Sequence, residues 1–155
     1  MASPEKTIKQ RIMERIPTLL ESLKGEQGLR KIERTRTLFL IESIKPALHI
    51  TAGPEIVLDE DNRGYRCEFG LFFKLMVAEA RNVEDEVDRW VGLIQEKIEG
   101  DAQLNGGDPA DTLAIKTHYD GEQPFGEDIL KPEGGTVIAY VIEYRRFIAE
   151  PKYNY

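Results

Sequence analysis

Along the first two dozen positions Ile8, Ile12, Ile16, Leu19 and Leu23 recur every three or four residues up to Gly25, the spacing of one face of an α-helix. Ser3 and Pro4 supply a cap and a first helical position, which predicts a helix over 4–24. Pro17 lies inside it, so a kink or break is expected at Ile16, with Pro17 opening a second segment. Residues 26–45 carry neither period: GEQGLRKIERTRT is polar, LFLIESI is apolar, and the stretch reads as loop with short structure.

From Pro46 the period changes to two. PALHIT, EIVLD and the fourteen residues YRCEFGLFFKLMVA read as three strands. In the last of these Cys67, Phe69, Leu71, Phe73, Leu75 and Val77 alternate with more polar positions. DEDNRG joins the second strand to the third as a hairpin turn. Val83, Val87, Trp90, Ile94 and Ile98 then form one stripe, closed by Gly100, and predict a helix over 83–99. NGGDPAD separates it from a strand in TLAIKTHY. DGEQPFGEDILKPEGG reads as a flexible loop over 120–135, GTVIAYVIEYRRFI as the final long strand, and 149–155 as a C-terminal tail. The fold class expected is α+β, a mainly antiparallel (mixed) sheet packed against two main helices, with sheet and helix together forming a core over 46–148.

The length, 155 residues, suits a single domain over 1–155. No apolar run approaches the roughly 20 residues of a bilayer span, and the N-terminus lacks the pattern of a secretory signal. Cys67 is the single cysteine, so no intrachain disulfide can form. Its parity with Phe69 and Leu71 places it inward as a small hydrophobe. A net charge of −7 opposes general binding to a phosphate backbone. The local basic group Arg30, Lys31, Arg34 and Arg36 also contains Glu33 and reads as a solvated face.

The densest carboxylate group, Glu84, Asp85, Glu86 and Asp88, follows Asn82. Asn82 occupies an N-cap position with Asp85 three residues on, and acids in a first turn face the positive end of the helix dipole. Glu84 and Asp88 share a face, and no His or Cys stands near to complete a metal set. DEDNRG offers Asp59, Asp61 and Gly64 at calcium-loop positions, but Arg63 takes a ligand position and Gly70 stands where a bidentate Glu is needed. His49 and His118 lack metal-ligand spacing, the glycines form no phosphate-binding pattern, and neither Ser3, Ser22 nor Ser43 sits in a nucleophile elbow. No catalytic, metal or cofactor-binding residue is expected.

The order of elements resembles the tail terminator (tail completion) proteins of long-tailed bacteriophages and prophages: an N-terminal helix, a short strand starting at Pro46-Ala47-Leu48, a hairpin with a long second strand, and an amphipathic helix ending in IEGDAQLNG. A strand, an acidic loop and a terminal strand VIAYVIEYRRFIAEPKY complete it. The likeness is best over 46–153, above all where Tyr144-Arg145-Arg146 runs on to Pro151-Lys152-Tyr153. It implies a non-enzymatic virion protein that forms a ring, typically a hexamer. Such a ring caps the head-proximal end of the tail tube, stops tube growth and offers a joining surface to the head-tail connector. Its expected partners are therefore further copies of itself, the tube protein and the connector, with no membrane, and with DNA passing through without specific binding.

Arg145 and Arg146 are neighbours on a strand and point to opposite faces, so at least one is available to pair with Glu127 or Asp128 of another subunit. Two other classes remain: a connector-like adaptor that binds protein through a sheet edge or the C-terminal tail, and a small metal-dependent enzyme using Asp59, Asp61, Glu68 or Glu84.

Overall fold

A computed structural model of the chain describes residues 6–25, 28–29, 31–34, 46–77, 83–125 and 134–147. Helix α1 spans Ile8–Leu20 and passes into a 3-10 turn at Glu21–Leu23. Its cap is Thr7, whose hydroxyl accepts from Gln10 N while the Gln10 side chain accepts from Thr7 N, a reciprocal capping box. Ser3 and Pro4 lie outside the described residues. The expected break at Pro17 does not occur: the helix runs through it. Proline removes one intrahelical hydrogen bond, and the burial of Ile12, Met13, Ile16 and Leu20 on both sides of it holds the segment as one helix.

Among the described residues six strands form one sheet. They are β1 (Lys31–Glu33), β2 (Ala47–Ala52), β3 (Ile56–Asp61), β4 (Gly64–Val77), β5 (Lys116–Phe125) and β6 (Gly134–Phe147), with helix α2 (Val83–Glu99) after β4. The order is β1-β2-β4-β6-β5, with β3 also on β4. All pairs are antiparallel except β1 with β2, so this is an α+β fold with a mixed, mostly antiparallel sheet. Both β2 and β3 use the same edge of β4, β2 along 71–76 and β3 along 64–68.

Alternation along β4 and β6 gives the sheet one covered face. Cys67, Phe69, Leu71, Phe73 and Leu75 lie opposite Tyr144, Ile142, Tyr140, Ile138 and Thr136. These side chains are buried together with Ile12 and Ile16 of α1 and Trp90, Ile94 and Ile98 of α2. Burying the helix stripes against that face removes both apolar surfaces from water, at roughly 25 cal/mol per Å². Trp90, only 2% exposed, donates its indole N–H to Glu86 at 3.1 Å. Glu84, Asp85 and Asp88 are exposed around the first turn of α2, while the expected cap Asn82 lies outside the described residues.

Strand β5 differs from expectation at both ends. Leu113 and Ala114 both donate their amides to the carbonyl of Gln103, so pairing starts only at Lys116. Pairing then continues past Asp120 to Phe125 through a bulge between Tyr119 and Glu122, where Gly121 takes φ 102°. The segment expected to be loop from 120 thus begins as an edge strand, and bulges and edges are where a sheet accepts Gly and Pro.

The connection from α2 to β5 is tied to α1 by Arg15. Its guanidinium donates to the carbonyls of Leu104 (2.6 Å) and Asp111 (3.0 Å) and to the Asp111 carboxylate (2.6 Å).

Candidate functional site

At one end of the sheet β3, the first half of β4 and residues 144–147 of β6 stand together. The hairpin that makes this end is set by local chemistry. Asp61 Oδ1 accepts from the amides of Arg63 and Gly64, an Asx turn. A side chain at Gly64 would place its Cβ 2.1 Å from the carbonyl oxygen of Arg146, so only glycine lets β4 approach β6 there. DEDNRG is therefore a turn that joins two strands.

The expected opposite facing of Arg145 and Arg146 is observed. Arg145 lies opposite Arg66 on the open face, and Arg146 lies opposite Tyr65 on the other. Both have partners within the chain. Arg145 Nη2 bonds Asp61 Oδ2 and lies near the Phe147 ring. Arg146 Nε stands 3.6 Å from Glu55 Oε1, with its guanidinium 4.8 Å from the centre of the Tyr65 ring. Glu127 and Asp128, their expected partners on another subunit, lie outside the described residues. Glu55, Asp61 and Tyr65 were not singled out by sequence reasoning as arginine partners. Their only signal was the acidic content of the β3 stretch.

Charge and burial shape the ionisation of this end. The hydrogen bond from Arg145 holds the Asp61 carboxyl below the usual range. Burial first, and then the hydrogen bond it donates to Glu55, push the Tyr144 hydroxyl far up. The Cys67 thiol is raised by burial and by the nearby Glu55 charge, which suits an inert packed thiol rather than a nucleophile.

The most distinctive feature is β3 itself. All six of its residues are exposed, and Ile56, Val57 and Leu58 are 52%, 49% and 38% exposed. Phe147 at the tip of β6 is 62% exposed. Folded proteins normally shield such an edge, because its unpaired N–H and C=O groups template pairing with another strand. The open face of the sheet adds Phe72 and a row of Glu68 and Glu143 flanked by Ile56 and Lys116.

The residues considered for metal chemistry are spread over three elements: Asp59 and Asp61 on β3, Glu68 on β4 and Glu84 on α2. Among the described residues no three His, Cys, Asp or Glu side chains converge on one point. His49 and His118 sit on β2 and β5, separated by β4 and β6. A concavity of about 370 Å³ lies between α1 and β2, lined by Thr7, Lys9, Gln10, Met13, Arg34 and Thr51 among others. Its Lys9 ammonium is engaged by the Gly53 carbonyl at 2.7 Å and by the Phe69 ring. Among the described residues no helix is long and apolar enough to cross a membrane.

No family model matches this chain, and no curated protein matches it.

Proposed function

We propose that the chain is a structural subunit of a self-assembling ring, and that the ring is the tail terminator of a long-tailed bacteriophage or prophage. The observation that carries the assembly part is β3, an edge strand with three consecutive apolar side chains exposed. The resemblance in element order supports the specific identity. In this role the ring, a hexamer, closes by head-to-tail contacts, caps the head-proximal end of the tail tube, stops tube polymerisation and presents a surface to the head-tail connector. The protein acts in the neck of the virion, without enzymatic chemistry and without a cofactor. An acidic chain, net charge −7, suits a channel through which DNA passes without sticking.

A connector or adaptor role is the second reading, since the same edge would accept a strand from a different protein. The two separate on addition of the purified chain to polymerising tail-tube protein. Electron microscopy is expected to show tubes of arrested length with extra density at one end. Tubes that grow unchanged with bare ends would overturn the terminator identity.

A further inference from the structure

We infer that the subunit contact is a strand pairing between β3 of one copy and β5 of the next, in a defined register. This rests on the ring reading above and deepens it. Among the described strands β5 is the terminal strand on one side of β4 and β6, and on the other side, where β1 ends the sheet beside β2, β3 is a second free edge on β4, so one copy offers both halves of a head-to-tail contact. Their directions agree with this. β3 and β6 are antiparallel to β4, and β5 is antiparallel to β6, so copies that repeat in the same orientation bring β3 against β5 antiparallel.

Side chains select the register. With Asp61 set opposite Lys116, Asp59 falls opposite His118, and Leu58 meets Tyr119. Within the chain Asp59 and Asp61 lie level with Arg66 and Gly64, and Lys116 and His118 with Glu143 and Val141, so both polar pairs fall on the open face. Leu58 and Tyr119 are 38% and 40% exposed in the isolated chain, and each sits at a bulge of its own strand, so the contact covers apolar surface that otherwise faces water. β5 then runs back along residues 53–56 and ends near Ala52, short of Ala47–His49, where β1 already occupies the edge of β2. The ladder fits the free part of the edge.

The stagger this register demands is that of a closed sheet. Asp61 is level with Gly64 and Phe147, whereas Lys116 is level with Glu143, four positions along β6. Four residues at about 3.3 Å, against four strands at about 4.8 Å, correspond to a strand tilt of about 35°. Closing a sheet requires tilts of about 35–45°.

The test uses the full chain in three forms: wild type, Val57→Lys/Leu58→Lys, and Asp59→Cys/His118→Cys. Native mass spectrometry of the wild type is expected to show a closed oligomer. The lysine variant, altered only at exposed positions, is expected to shift half-assembly at least tenfold in concentration with its circular dichroism unchanged. On mild oxidation the cysteine pair is expected to give a ladder of covalent multimers that neither single cysteine variant forms, Cys67 being buried. An assembled wild type that is insensitive to the lysines and gives no ladder would overturn this interface while leaving the ring. A wild type that stays monomeric throughout would overturn both.

Discussion

The Tyr144 hydroxyl, on the covered face near the end of β6, donates a hydrogen bond to the carboxylate of Glu55 in the β2–β3 connection. This bond pins the start of the exposed β3 to the buried part of the sheet. Tyr144→Phe removes the donor and leaves Glu55 with Arg146 alone. Urea unfolding should register a loss of about 1–2 kcal/mol, and hydrogen exchange in β3 should accelerate more than in β4.

The same tyrosine contributes to the loss of stability expected at alkaline pH. Burial, with the Glu55 charge, raises the Tyr144 hydroxyl above its ordinary value of 10.0, and burial raises Tyr140 likewise. A group whose acid form is favoured by folding contributes stability that is complete below its unfolded pKa and is lost as pH rises through the folded one. Unfolding free energy should therefore decline as pH is raised above about 10, with a shallower decline in Tyr144→Phe. An unchanged slope in that variant would remove Tyr144 from this role.

Trp90 anchors α2 on the sheet. Trp90→Ala should destabilise by about 3–5 kcal/mol, and native wild-type fluorescence should be blue-shifted relative to the unfolded chain. Glu84→Gln and Asp88→Asn alter exposed charges on the same helix and should change stability by no more than about 0.5 kcal/mol.

Arg15 closes the connection between α2 and β5 onto α1 through two carbonyls and a carboxylate. Arg15→Ala should cost about 1–3 kcal/mol, because those carbonyls lose a charged donor. The loss should appear in hydrogen exchange as faster exchange over residues 101–115, with β4 unaffected.

The hairpin of β3 and β4, the Cys67 parity and the limits of α2 were legible because each rests on a local period over many residues. The Trp90 stripe and the alternation of β4 could fold only one way against each other. Pro17 misled because the cost of a missing hydrogen bond is local, whereas the burial of Met13, Ile16 and Leu20 that offsets it is tertiary. Pro124 and Gly121 made an edge strand look like loop for the same reason: pairing of Glu122 with Ile138 is invisible from composition. At the candidate site, the opposite facing of Arg145 and Arg146 followed from strand geometry alone. Their partners Asp61 and Glu55 depend on the register of β3 on β4 and of β4 on β6, which the chain does not display as a period. The exposure of Ile56, Val57 and Leu58 was equally hidden, since an apolar run reads as buried until the structure shows it facing water.

Mass in solution, followed by native mass spectrometry and light scattering from nanomolar to micromolar chain, decides whether this protein is a ring subunit. The exposed β3 edge and the head-to-tail geometry predict one closed species of fixed copy number above a threshold concentration, with no open-ended growth. A strict 17.7 kDa monomer across the whole range, also in the presence of tail tubes, would contradict it.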